Sequence, residues 1–209
     1  MTRTANTGCN DWCLVTIIAC LPLLAGCSAS AVEEQVVAAV AADGGRVDYD
    51  DSGRVVRVYL HDVSYSPDTL AMLPKLKKLA GVFVWETPTG DDELKLLATI
   101  PTLEELYLRG TEVTDDGLAH LKSLRKLFVL TLGGTAITDD GLKHLTSLEN
   151  LDILDLSRTA VSDGGVEHLQ ELQNLSKLDL QETQITPEGL ARLRRALGAS
   201  GTAIYYEPQ

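Results

Sequence analysis

LEELYLRGTEVTDDGLAHLKSLRK (Leu103 to Lys126) runs straight into LFVLTLGGTAITDDGLKHLTSLEN (Leu127 to Asn150). In both stretches apolar residues occupy block positions 1, 4, 6 and 11, then 16, 19 and 22. Positions 4 and 6 are two apart, the spacing that puts side chains on one face of a strand. Positions 16, 19 and 22 follow one side of a helix. Each block therefore predicts strand, turn, helix and return. No block of 24 residues can bury its own apolar face, so the blocks must stack.

The same phase extends outward in both directions. Val55 to Lys78 keeps Val55, Val58, Leu60, Leu70, Leu73 and Leu76 in register, and Leu79 to Thr102 keeps Leu79, Val82, Val84, Leu94, Leu97 and Ile100. Six consecutive blocks thus cover residues 55–198. A second criterion agrees. Block position 12 is Ser66, Gly90, Thr114, Thr138, Ser162 and Thr186, residue types favoured at a helix N-cap. Position 13 is Pro67, Asp91, Asp115, Asp139, Asp163 and Pro187. Proline suits the first helical residue, and aspartate complements the positive end of the helix dipole.

The pattern LxxLxLxxTxITDxGLxxLxxL resembles the leucine-rich repeat family, in its 24-residue bacterial type, and is similar to the repeats associated with F-box adaptors. The resemblance implies an α/β solenoid with a curved parallel sheet on one face and helices on the other. Position 9 departs from the Asn or Cys usual in that family. It is Val63 and then Thr87, Thr111, Thr135, Thr159 and Thr183. A threonine hydroxyl can still serve turn backbone groups, whereas Val63 cannot, which marks the first block as an irregular capping repeat.

The N-terminus carries a different signal. Leu14 to Ala25 is apolar but too short for the roughly 20 residues of a membrane-spanning helix. It has the length of a secretory signal's hydrophobic region, in a leader whose basic side chain is Arg3. Its ending, Leu24-Ala25-Gly26-Cys27, resembles the lipobox of bacterial lipoproteins. That resemblance implies a signal peptide over 1–26, lipidation of Cys27 and a lipid anchor in a bacterial cell envelope. An ordinary cleaved signal is the alternative. Cys9, Cys13 and Cys20 would leave with the leader, so the mature chain would lack both disulfides and cysteine metal sites.

Residues 27–54 then form a short tether and an N-terminal cap. Ser30 to Glu33 matches a capping box, a helix is expected to about Asp43, and Arg46 to Asp50 reads as a strand. Residues 199–209 form the C-terminal cap, with Thr202 to Tyr206 composed like a final strand over the open edge. The net charge is −12 and no basic stripe appears, which opposes nucleic acid and a second, electrostatic membrane contact.

Strand positions 3, 5 and 7 point away from the core. Column 5 reads Tyr59, Phe83, Tyr107, Thr131, Asp155 and Asp179, and column 7 reads His61, Trp85, Arg109, Gly133, Ser157 and Gln181. With strands about 4.8 Å apart, Tyr59, Phe83 and Tyr107 form one aromatic row beside Trp85. Exposed aromatics rimmed by Arg109 and His61 are typical of a protein-binding surface. A glycan is the other partner such rings could hold, and an envelope component without a discrete ligand is a third possibility. The rings could also serve only to stabilise the sheet, or lie beneath the N-terminal cap.

Two further ladders have simpler accounts. His120, His144 and His168 recur at position 18, too far apart between packed helices to share one zinc ion. The acids from Asp91 to Asp163 could attract calcium but are already explained by capping. No nucleophile elbow, phosphate loop or metal-ligand cluster is present, so neither catalysis nor a cofactor is expected.

Overall fold

The computed structural model describes residues 31–61, 63–198 and 200–207. Cys27, the leader and Ser30 lie outside the described residues. Among the described residues no helix is long and apolar enough to cross a membrane.

An eight-stranded open sheet runs in chain order: β1 (Arg46–Tyr49), β2 (Val55–Tyr59), β3 (Gly81–Phe83), β4 (Glu105–Tyr107), β5 (Val129–Thr131), β6 (Ile153–Asp155), β7 (Lys177–Asp179) and β8 (Ala203–Tyr205). From β2 onward every pairing is parallel, and only β1 joins antiparallel, to β2. Register follows the repeat: Tyr59, Phe83, Tyr107, Thr131, Asp155, Asp179 and Tyr205 are successive Cα partners. The column inferred from spacing is therefore a row in space.

Opposite the sheet lie α1 (Ala31–Ala42), α2 (Pro67–Met72), α3 (Asp91–Leu97), α4 (Asp115–Leu118), α5 (Asp139–Leu142), α6 (Val166–Leu169) and α7 (Pro187–Leu197). The helices of the central repeats are short. A 3₁₀ segment, Ala119–Ser123, continues α4, and another, Asp163–Gly165, leads into α6. The strands are only about 4.8 Å apart while helical layers need more room, so the sheet lines the inner side of the curve. Between the layers runs one continuous core. Leu106, Leu130, Leu154 and Leu178 are fully buried, with the position 16, 19 and 22 leucines facing them. Both caps form as expected, α1 and β1 at one end and β8 at the other, and Gly44 ends the first with φ 80°.

The threonine column acts as predicted. The Oγ1 atoms of Thr111, Thr135, Thr159 and Thr183 donate to the carbonyls of Leu108, Leu132, Leu156 and Leu180 at 2.6 to 2.7 Å. Thr87 does the same to Val84. All five are buried, and each hydroxyl supplies a donor to a carbonyl in the strand-to-helix turn; the Leu108 and Leu132 carbonyls also accept from the amides of Thr111 and Thr135.

The position 13 aspartates stand in the first helical turn, as a dipole complement would, and do more besides. Asp91, Asp115, Asp139 and Asp163 each accept from the backbone N–H of the N-cap residue one block later, at 2.7 to 2.9 Å. Each also accepts from that residue's hydroxyl, at 2.6 Å. The position 13 carboxylates are thus engaged by protein donors. Position 15 is Gly117, Gly141, Gly165 and Gly189 because any Cβ would invade the carboxylate beside it. At Gly141 that atom would sit 2.2 Å from Asp115 Oδ1.

Candidate functional site

The inner face of the sheet divides near β5. On the N-terminal side, register places three rings in one stack. Tyr59 and Phe83 lie 4.3 Å apart between centroids and Phe83 and Tyr107 4.4 Å, nearly parallel in both cases. Arg46 of β1 closes one end, its guanidinium 4.0 Å above the Tyr59 ring. Tyr59 Oη donates to Asp48 Oδ2 at 2.7 Å. The N-terminal cap therefore abuts the end of the row without burying it, since Tyr59, Trp85 and Tyr107 are half-buried. Burial raises the Tyr59 and Tyr107 phenols above their ordinary pKa.

Phe83 is the exception to the expected exposure. Only 8% of its surface is accessible, because its neighbours cover both faces. It supports the platform from within and offers a partner little more than an edge. The accessible rings of the row are thus Tyr59 and Tyr107, with Trp85 beside them.

Column 7 adds a second layer. His61 stacks on Trp85 with centroids 3.9 Å apart and planes within 10°. Trp85 in turn meets Phe83 and Tyr107 edge-on at 6.0 and 6.2 Å. Five of the six residues expected to bind a partner (Tyr59, His61, Phe83, Trp85 and Tyr107) therefore form a single ring cluster. The sixth, Arg109, stands at the platform's C-terminal rim with 45% of its side chain exposed.

Two arginine arms flank the platform, each reaching across a glycine to a carboxylate two strands away. Arg57 passes over Gly81 to Glu105 in a two-pronged pair, Nε and Nη2 at 2.9 and 2.8 Å. A Cβ at Gly81 would lie 2.9 Å from the Arg57 stem, so glycine clears its path. Glu105 makes the Arg57 guanidinium harder still to deprotonate. Arg109 reaches over Gly133 toward Asp155 but stops at 3.9 Å. Arg57, Glu105, Gly133 and Asp155 were not among the residues expected at the site. For the first pair a readable signal existed: Arg57 and Glu105 are opposite charges 48 residues apart in one column with Gly81 midway between them.

Beyond Tyr107 the face drops. Thr131 and Gly133 are small, and Asp155 and Ser157 follow on the next strand. The hydroxyls Thr131 Oγ1 and Ser157 Oγ are buried without a hydrogen-bond partner. The ladder histidines stay apart: His120 is exposed, contrary to the expected packing between helices, and His144 and His168 are half-buried. Burial together with Lys122 and Lys143 lowers the His144 pKa. Among the described residues no three His, Cys, Asp or Glu side chains converge as a metal site.

A family model described as a leucine-rich repeat matches residues 99–122 and 171–193. Similar solved structures include an internalin from Listeria monocytogenes, 23% identical with a TM-score of 0.57, over 72% of this chain and 40% of that one. A leucine-rich repeat protein of Leptospira interrogans is 21% identical, TM-score 0.51, over 71% and 36% respectively. The leucine-rich repeat ectodomain of the Arabidopsis receptor kinase HAESA, solved with an extended IDA peptide hormone, is 16% identical, TM-score 0.53, over 77% and 27%. This chain thus spans less than half the length of each. No curated protein matches it in sequence. At these identities the likeness establishes the architecture, a leucine-rich repeat solenoid.

Proposed function

We propose that this chain is a non-enzymatic binding scaffold of a bacterial envelope, lipid-anchored through Cys27, which holds a protein partner on the inner face of its sheet. The observation that carries the binding half is the ring cluster of Tyr59, His61, Trp85 and Tyr107 around Phe83. Packing leaves part of each of the four outer rings at the surface. Such rings lose little side-chain freedom on binding and carry much of the energy in protein contacts. The fold supports the reading, since one similar solenoid, the HAESA ectodomain, was solved holding a peptide. The anchor rests on the Leu24-Ala25-Gly26-Cys27 sequence and on an apolar stretch of signal-peptide length before it.

Trp85→Ala tests the binding half. It is expected to weaken capture of the partner from envelope extract at least tenfold, a loss of about 1.4 kcal/mol, while the far-ultraviolet circular dichroism is kept. Undiminished capture would move the site elsewhere. The intact mass of the native protein tests the anchor, with cleavage before Cys27 and added acyl mass expected together.

A further inference from the structure

The solenoid has two rims, and charge is not shared evenly between them. Block positions 20–24 close each helical layer and lead into the next strand. In the first three blocks they hold Lys75, Lys77, Lys78, Lys122, Arg125 and Lys126, all exposed, and no acid. Of these, Arg125 alone makes an ion pair among the described residues, with Glu149 at 3.3 Å. Where the next strand begins, Glu104 is half-buried and Glu105 is held by Arg57. Successive strands lie about 4.8 Å apart, so bases distant in the chain become neighbours along one edge. The opposite rim, where strands give way to helices, gathers the acids: Glu86, Asp92, Glu112, Asp116 and Asp140 are all exposed. The net charge of −12 conceals this division. The absence of a basic stripe, expected from the linear sequence, therefore does not carry over to the surface.

The basic rim also carries the start of α1. Arg54, just before β2, lies 3.7 Å from Glu33 in the first turn of that helix. Just past its far end, Asp43 accepts from the Ser66 amide at 3.0 Å, on the acidic rim. Helix α1 thus runs from the basic rim to the acidic one, and Ala31 stands on the basic side. Cys27 is four residues before Ala31, at most roughly 14 Å of extended chain. Two of the three large apolar residues exposed among the described residues share this corner. Val32, in the first turn of α1, is 38% exposed, and Tyr49, opposite Val55 at the start of β2, is 52% exposed. A tethering point, a ring with a polar tip and a line of bases on one edge suit the headgroup region of an anionic bilayer.

Building on the lipid anchor at Cys27, we propose that this strand-entry rim lies against an anionic lipid surface. Val32 and Tyr49 meet the headgroups beside the anchor, and Lys75, Lys77, Lys78, Lys122 and Lys126 face the lipid anions. The same surface repels the acidic rim, so one orientation is selected where an acyl chain alone permits many. The sheet then stands upright on the bilayer and the ring platform faces sideways, with Tyr59 roughly 16 Å above Arg54 along β2.

The test reconstitutes the native protein into vesicles of phosphatidylcholine alone, or of phosphatidylcholine and phosphatidylglycerol in equal parts. Amine-reactive labelling is then read lysine by lysine by mass spectrometry. Lys75, Lys77, Lys78, Lys122 and Lys126 are expected to label about fivefold more slowly on the anionic vesicles, the worth of one base at such a surface. Lys143 and Lys177, both exposed but away from the rim, should label equally on the two. The protection should vanish in about 1 M salt, where the screening length falls to about 3 Å. Equal labelling on both vesicles, or protection spread over every lysine, overturns the rim. A second readout is flotation of the full chain carrying Cys27→Ser. It should prefer anionic vesicles at least tenfold, and Lys77→Glu combined with Lys78→Glu should erase that preference while circular dichroism is kept. A preference that survives both reversals overturns the rim as well. The anchor is judged separately, by intact mass. No acyl mass with a charge-dependent flotation would sink the anchor and leave the rim, whereas acyl mass with neither readout sensitive to lipid charge would do the reverse. Duplex DNA bound through Lys77 and Lys78, with vesicle charge immaterial, would make the rim a nucleic-acid surface and overturn the lipid reading.

Discussion

Two ladders run the length of this solenoid, and they differ in kind. The Asp-to-N-cap ladder at the start of the helical layer uses the same chemistry at every central turn, Asp91 to Thr114, Asp115 to Thr138, Asp139 to Ser162 and Asp163 to Thr186. The inner-face row changes at nearly every step, from tyrosine and phenylalanine to threonine and aspartate. Stacking imposes the first, because each turn presents the same orphan amide to its neighbour. Stacking requires nothing so specific of the second, whose side chains leave the core. Uniformity along a repeat therefore marks what folding needs, and variation marks where a partner can be recognised.

Breaking the uniform ladder should have the largest effect on stability. Gly141→Val forces a side chain into the Asp115 carboxylate and strips Thr138 of two bonds. Overpacking and unpaired polar groups together should cost roughly 3–5 kcal/mol, read as a fall in the urea midpoint. On the inner face, Phe83→Ala sharpens the comparison. Because Phe83 is wedged between two tyrosines, its truncation should cost roughly 2–3 kcal/mol of stability and disturb binding only through the collapsed platform. A loss of capture with the urea midpoint unmoved would show it to be a direct contact instead.

How much of this was legible in the sequence depends on which forces set each feature. Strand register, helix starts, both caps and the buried leucine columns follow from local spacing and capping preference, so they could be read in advance. The destination of the position 13 carboxylates could not, because their partners lie 23 residues away across a turn. The burial of Phe83 was likewise hidden, being a property of its neighbours' rings. The aromatic row was legible as a row. The step at Gly133 was not, since it depends on what Arg109 and Asp155 do across an absent side chain.

The smallest effect concerns acid. Hydrogen bonds from Thr186 hold the Asp163 carboxyl below its ordinary pKa. Its contribution is therefore complete above the unfolded carboxylate pKa of about 3.9 and is lost as pH falls through the lower, folded value. Asp163→Asn should reduce neutral-pH stability by at most about 1 kcal/mol after solvent screening. The gap between variant and wild type should close below pH 4 in acid-unfolding curves. A gap that persists at pH 2 would assign the effect to geometry rather than charge.

The two ends of the amide ladder are punctuated differently from its middle. Asp43 serves the amide of Ser66, and where Pro67 offers no carboxylate, Glu93 turns back onto Gly90 within its own block. Pro187 occupies the equivalent place in the last turn and hands nothing onward. A duplicated block spliced between Lys126 and Leu127 would find an acceptor behind it in Asp115 and a donor ahead in Thr138, whereas one appended to the block that holds Pro187 would inherit an orphan. Length in this molecule is accordingly adjustable from the inside and closed at the tips, so the breadth of the surface it offers can change without rebuilding either terminus.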